Sequence, residues 1–179
     1  MGKYEESVSK SKVCGAVIMS KEKNKGHIFI TVGNGKFEPL VKEVDRLKSE
    51  GFIKEDVVVQ VGHGTYKPQN CKWFTFESPL DLYYNNANLV ICHGGPGTVF
   101  EIMRRKLKVI ALPNRDRTDP NHQVEYLRAM DKETKGMIYC DRVSLLKDKL
   151  EMAKTYKFAH YKKPECKMHE IIHGFLQKN

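Results

Sequence analysis

At 179 residues, 40% hydrophobic and 30% charged, the chain suits one folded domain with a sizeable core, and nothing in its composition calls for disorder. Its formal charge of +9 is concentrated, with six Lys or Arg against Asp116 in residues 103 to 117 and nine against four acids in residues 142 to 179, which suits an anionic membrane leaflet, an acidic protein or a phosphorylated substrate, or a merely solvated surface. The apolar run Val13 to Met19 is far short of the roughly 20 residues of a membrane span, no signal-peptide layout surrounds it, and Cys14, Cys71, Cys92, Cys140 and Cys166 form no Cys-x-x-Cys pair, so a cytosolic protein without a disulfide framework is expected.

Residues 1–26 are polar and lysine-rich around Val13 to Met19 and read as an N-terminal extension; residues 27–179 read as the domain. His27 to Val32 is the first buried strand, and Phe37, Leu40, Val41, Val44 and Leu47 then recur at helical spacing until Gly51. Val57 to Val61 and Lys72 to Phe76 are strands, and Pro79 opens a short helix to about Asn86. The strand Leu89 to Cys92 runs into His93-Gly-Gly-Pro-Gly-Thr98, where a helix starts that ends near Lys106. Val109 to Leu112 is the fifth strand, stopped by Pro113; after a polar loop come a helix from about Asn121 to Met130 and a sixth strand, Met137 to Cys140. Helices at roughly 143 to 155 and 167 to 177 complete the chain. Apolar strands alternating with helices imply an α/β fold with a doubly wound, mostly parallel, Rossmann-like sheet.

Ligands on such sheets bind at the carboxyl ends of the strands. Gly33-Asn34-Gly35, Gly62-His63-Gly64, Phe76-Glu77, His93 to Gly97 and Pro113 to Gln123 all fall at such ends. Gly94, Gly95 and Gly97 let backbone approach a ligand, and the helix start near Thr98 offers unpaired N–H groups and a positive dipole end, which is a phosphate site. Glu101, one turn in, is repelled by phosphate and is better used to accept hydrogen bonds from the sugar hydroxyls of a nucleotide, although it also serves as an acid that only complements the dipole. His93 is either a site residue or a fixer of loop geometry. A dinucleotide-binding dehydrogenase fits poorly, because Glu38 stands where a third glycine is needed and Gly62 replaces the acid expected after the second strand. No P-loop motif is present. Cys166, His169 and His173 share a helix face, but no fourth ligand accompanies them and an ordinary packed helix explains them better, so no metal is expected. Tyr66 and Lys67 are partner contacts or plain turn residues. Net charge alone suggests nucleic acid, but no recognition motif supports it, and no nucleic-acid partner is expected.

His93-Gly-Gly-Pro-Gly-Thr98, Glu101, Pro113 and Asp119-Pro-Asn-His-Gln123 resemble the donor-binding half of family 28 glycosyltransferases, over about His27 to Cys140. Within that family the chain is similar to the single-lobe catalytic subunit of the two-part transferase that adds the second N-acetylglucosamine to the dolichol-linked precursor, and, through Val61 to Pro68 and Trp73 to Phe76, to bacterial exopolysaccharide relatives. The resemblance implies half of a two-lobed GT-B fold and a UDP-sugar donor, with no cofactor or metal. It implies that Gly94 to Thr98 hold the diphosphate, that Glu101 binds the ribose, and that Phe76 and Glu77 contact the uracil through their main chain. It also implies that Asp119, Asn121, His122 and Gln123 form the donor-sugar side of the site, with His122 the candidate catalytic residue, and that the Gly33-Asn34-Gly35 turn lies beside the phosphates near the acceptor. Pro120 separates Asp119 from Asn121, where the dolichol-pathway members run Asp-Asn-His-Gln uninterrupted. The general base belongs, in two-lobed members, to the other lobe, so a membrane-anchored partner subunit carrying a lipid-linked acceptor is expected. The alternative is a non-catalytic module that enhances a separate transferase.

Overall fold

The computed structural model describes residues 26–115, 121–162 and 168–177. Residues 1–25 of the N-terminal extension, Val13 to Met19 among them, and Asp119 and Cys166 lie outside the described residues. The strands are β1 (His27–Thr31), β2 (Val57–Gln60), β3 (Lys72–Phe74), β4 (Ala87–His93), β5 (Val109–Leu112) and β6 (Ile138–Tyr139). The helices are α1 (Glu38–Ser49), α2 (Asp81–Asn85), α3 (Pro96–Arg104), α4 (His122–Thr134), α5 (Leu146–Thr155) and α6 (Met168–Leu176), with one 3-10 turn, Val143–Leu145, leading into α5.

All strand pairs are parallel, in the order β3-β2-β1-β4-β5-β6. The expected doubly wound α/β sheet is therefore what the chain forms. Successive residues of a strand point to opposite faces, and here both faces are covered. Ile28, Ile30, Val57, Val59, Ile91 and Ile110 pack with α1 and α5; Phe29, Val58, Val90, Cys92 and Val109 pack with α2, α3 and α4. That double burial explains why these strands are apolar at every position rather than at every second one. Cys71, Cys92 and Cys140 are free; burial pushes Cys71 up to about 12 and Cys140 up to about 11, so these thiols are neutral packing groups.

Several element boundaries differ from expectation by a few residues, among them those of β4, α2 and β6 and the following. The third helix opens at Pro96 rather than Thr98, since a proline at the first helical position has a preset φ and no N–H to lose. Strand β3 stops at Phe74, although the Val61 and Gly62 N–H groups still donate to the Phe74 and Thr75 carbonyls at 2.9 and 3.2 Å. Helix α4 runs on to Thr134 and closes on Lys135, whose N–H donates to the Asp131 carbonyl at 3.2 Å. No helix among the described residues is long and apolar enough to cross a membrane.

Strand order sets where a ligand can sit. From β1 the chain winds outward to β2 and β3, then returns to lay β4 on the other side of β1. The loops leaving β1 and β4 therefore diverge and leave a crevice above the strand ends.

Candidate functional site

That crevice is a cavity of about 970 Å³. Its floor is polar where the strands end: Thr31 donates its hydroxyl to Gln60 Oε1 at 2.6 Å and accepts from the Gly33 N–H at 3.1 Å. The walls are the β1–α1 turn of Gly33, Asn34 and Gly35, the β3–α2 loop from Phe76 to Leu80, and the start of α3 with Glu101 behind it.

The start of α3 is built to stay open. Gly95 is its N-cap, in an extended conformation and with no side-chain cap, and Pro96 has no N–H. The first intrahelical bond of this turn runs from the Val99 N–H to the Gly95 carbonyl at 3.0 Å, so the N–H groups of Gly97 and Thr98 have no acceptor within the helix. A Cβ added at Gly97 would meet nothing within 4 Å, which leaves the backbone accessible.

The neighbouring glycines serve other ends. A Cβ at Gly95 would lie 2.4 Å from His93 Nε2, and one at Gly33, which has a φ of +62°, 2.6 Å from His93 Cε1. The buried His93 ring thus lies between the two turns, close to both, and it also lines the cavity, so the structure accommodates both roles considered for it. A Cβ at Gly94 would stand 2.5 Å from Leu127 Cδ1. Gly94 permits the close approach of α4; of the three glycines, Gly95 and Gly97 line the cavity, and only at Gly97 would an added Cβ meet nothing within 4 Å.

Around Glu101 the structure adds residues that sequence reasoning missed. Arg105 donates from Nη2 to Glu101 Oε1 and from Nη1 to Asp81 Oδ1, both at 3.0 Å, with its guanidinium 4.8 Å above the Tyr84 ring. One carboxylate oxygen of Glu101 is held, and the group is oriented on the cleft wall. The four-residue spacing of Glu101 and Arg105 was a readable signal; Asp81 and Tyr84 come from another helix, α2, and were not. Thr31 and Gln60, the polar ends of apolar strands, were readable too. On the β3–α2 loop, Glu77 accepts the Tyr83 hydroxyl, and burial together with that carboxylate raises the Tyr83 pKa and keeps it a donor. Tyr83 stacks on Phe74 and Phe29 at 4.6 and 5.4 Å, so Glu77 is tied to the core, while Phe76 is 44% exposed at the rim, its ring edge-on to His63.

Gly33, Asn34, Gly35, Phe76, Glu77, His93, Gly95, Gly97, Thr98 and Glu101 all line the cavity. Gly94, Asn121, His122 and Gln123 do not. Asn121 and His122 are exposed at the start of α4. Gln123 points inward: its Oε1 accepts the Asn114 N–H at 2.8 Å, and Asn114 Nδ2 donates to the Lys36 carbonyl at 2.8 Å. Gln123 thereby braces α4, the end of β5 and the β1–α1 turn against one another. Among the described residues no three His, Cys, Asp or Glu side chains converge as metal ligands.

The solution structure of ALG13 has the same fold with a TM-score of 0.57 and 16% identity, covering 82% of this chain and 94% of that one. MurG from Acinetobacter baumannii gives 0.57 and 14%, covering 88% and 51%. The glycosyltransferase SsfS6 of Streptomyces sp. SF2575, complexed with thymidine diphosphate, gives 0.54 and 18%, covering 75% and 34%. The chain therefore spans nearly all of the first, about half of the second and a third of the last, and its sheet is that of one lobe of a GT-B glycosyltransferase. No protein of curated function matches its sequence. Residues 27–175 match the family model described as the glycosyltransferase family 28 C-terminal domain, and the chain belongs to that family.

Proposed function

We propose that this chain is the donor-binding, catalytic subunit of an inverting glycosyltransferase that moves a sugar, N-acetylglucosamine by preference, from a UDP-sugar to a lipid-diphosphate-linked acceptor. The observation that carries the reading is the open start of α3, with Gly97 and Thr98 presenting N–H groups to the cleft and Glu101 one turn further along the same helix. A diphosphate fits the first feature and ribose hydroxyls the second. SsfS6 was solved with a nucleoside diphosphate, the ligand class proposed here.

In the reaction the bond between the anomeric carbon and the diphosphate oxygen breaks, and its electron pair leaves with UDP. Backbone N–H groups and the α3 dipole then face a growing negative charge, so they stabilise the transition state more than the ground state. This leaves no electrostatic task that demands a metal. The acceptor hydroxyl attacks from the opposite face and gives its proton to a general base. We assign that base and the acceptor site to a membrane-anchored partner at the cytosolic face of a membrane, since this chain matches one half of MurG and nearly all of ALG13. His122 and Asn121, which do not line the cleft, then approach the donor sugar only as the complex forms.

Calorimetric titration of the purified chain with UDP-N-acetylglucosamine, UDP-galactose, UDP and NAD, repeated with Glu101→Ala, tests the donor site. Uridine-specific binding that weakens about tenfold or more in the variant is expected, from loss of charge-assisted hydrogen bonds. Equal affinity in the variant would remove Glu101 from the site. Absence of uridine binding even with the partner present would favour the non-catalytic module.

A further inference from the structure

On the α1 and α5 side of the sheet, at the edge away from the cleft, the core has an open corner of about 150 Å³. Ile28 of β1, Leu89 of β4, Phe52 and Ile53 after the close of α1, and Leu150 and Ala153 of α5 form its walls. Ile28, Ile53, Leu150 and Ala153 are buried, and Phe52 and Leu89 are half-buried against them. Lys147 and Lys154 hold their ammonium groups 5.1 and 5.5 Å over the Phe52 ring, so both charges stay at the rim while the Lys154 stem lines the hollow. Apolar walls around a space of this size admit one benzene-sized group. Left open, the corner forfeits contacts that a close-packed core makes.

The described chain begins at this corner. Gly26 lies against the side chain of Asn88, which lines the pocket, and Ile28 is two residues further on. Upstream of Gly26 stand 25 residues whose longest apolar run is Val13-Cys-Gly-Ala-Val-Ile-Met19, seven residues without a charge. The six residues between them, Ser20 to Lys25, allow Met19 to stand up to about 23 Å from Gly26. The run is therefore within reach of the pocket, and a tether this short gives it an effective concentration in the millimolar range. Lys21, Lys23 and Lys25 on the tether match Glu55 and Asp56, two exposed acids at the same corner; Glu55 lines the pocket, and the Asp56 carbonyl accepts the Ile28 N–H at 2.9 Å. A second copy of the chain has no tether and brings a formal charge of +9 against another +9.

We propose that this pocket receives an aliphatic side chain of the run Val13 to Met19, Val17 or Ile18, so that the N-terminal extension docks on its own domain at the edge opposite the cleft. The pocket and the cleft share no lining residue, so the docking stands whether or not the cleft binds a nucleotide.

The test uses the native Cys14 as reporter in the full chain. Lys154→Cys sets a thiol on the pocket rim, and Glu125→Cys sets one on α4, across the sheet. Both positions are exposed, so both variants should melt like wild type. With oxidised glutathione as oxidant and mass spectrometry of unreduced peptides as readout, Cys14 is expected to cross-link to position 154 about tenfold faster than to position 125. Adding Val17→Asp/Ile18→Asp should abolish that advantage, since the tether and Cys14 remain while the apolar side chains are gone. An undiminished advantage in the aspartate variant overturns the docking. Equal rates at positions 154 and 125 overturn it too, and leave the pocket to a separate partner. Cross-links between chains, rising with protein concentration, overturn it in favour of a second copy.

Discussion

Gly95 and Gly97 are two residues apart, at the N-cap and in the first turn of α3, yet an added Cβ would strike the buried His93 ring at the first and meet open space at the second. Gly95→Ala should therefore displace His93 from between the two turns and cost about 1–3 kcal/mol, as overpacking does. Gly97→Ala should leave stability unchanged or raise it by up to about 1 kcal/mol, because alanine loses less entropy in a helix. It should nevertheless weaken UDP binding, since its methyl group would occupy the space a phosphate needs. Thermal melts paired with titrations of both variants check this, and unaltered UDP affinity in Gly97→Ala would remove the start of α3 from the site. The glycine-rich motif reads in the sequence as a helix start at a strand end, which the structure shows at Pro96. Its division of labour was not legible, because the neighbours of Gly94 and Gly95 are side chains that only the folded loop brings near.

At the scale of elements, α1 anchors the loop between β2 and β3 through two carboxylates. Glu38 Oε1 accepts the Thr65 hydroxyl and N–H, both at 2.7 Å, and these bonds hold the Glu38 carboxyl at about 2. Asp45 is buried on α1 and accepts the Tyr66 hydroxyl at 2.6 Å and the N–H groups of Gln69 and Asn70 at 3.0 and 2.7 Å. Burial alone would push Asp45 up, but the combined hydrogen bonds outweigh it and keep the group below its ordinary range. Carboxylates lowered in this way contribute stability that is fully present above their unfolded values and lost as pH falls through the folded ones. The loop should accordingly loosen between the ordinary Glu value of 4.5 and about 2, ahead of the sheet. Hydrogen exchange of the Thr65, Gln69 and Asn70 amides during an acid titration reads this directly. Asp45→Ala should cost about 1–3 kcal/mol at neutral pH by orphaning two amides, and uniform protection across loop and sheet in that variant would refute the anchoring role. Tyr66 and Lys67 were open in the sequence between partner contacts and turn residues; Tyr66 serves Asp45, and Lys67 Nζ lies 4.6 Å over the Trp73 ring. Helical spacing marked the apolar stripe of α1 correctly but gave no reason for an acid beside it, since the amides it serves lie more than twenty residues on.

For the whole molecule, the proposed division into donor and acceptor lobes predicts that this chain alone binds a UDP-sugar and transfers none of it. Transfer of a radiolabelled sugar to a lipid-diphosphate acceptor should appear only when the membrane-anchored partner is supplied, and steady transfer by the isolated chain would refute the division. All six strands, their parallel sense and the loops at their carboxyl ends were legible in the residues, because strands buried on both faces, as β1, β2 and β5 are, must be largely apolar and the loops that end them polar. The motif from His93 to Glu101 likewise declared a helix start suited to phosphate, since glycine, proline and a following acid each act within one turn of backbone. Only the tertiary structure decided that β1 and β4 lie side by side, that Asp81 and Tyr84 join Arg105 behind Glu101, that Gln123 turns inward, and that three arginines gather on Asp141. Those pairings join residues distant in the chain, and they follow from the order in which the crossovers lay down the strands, which local periodicity does not encode.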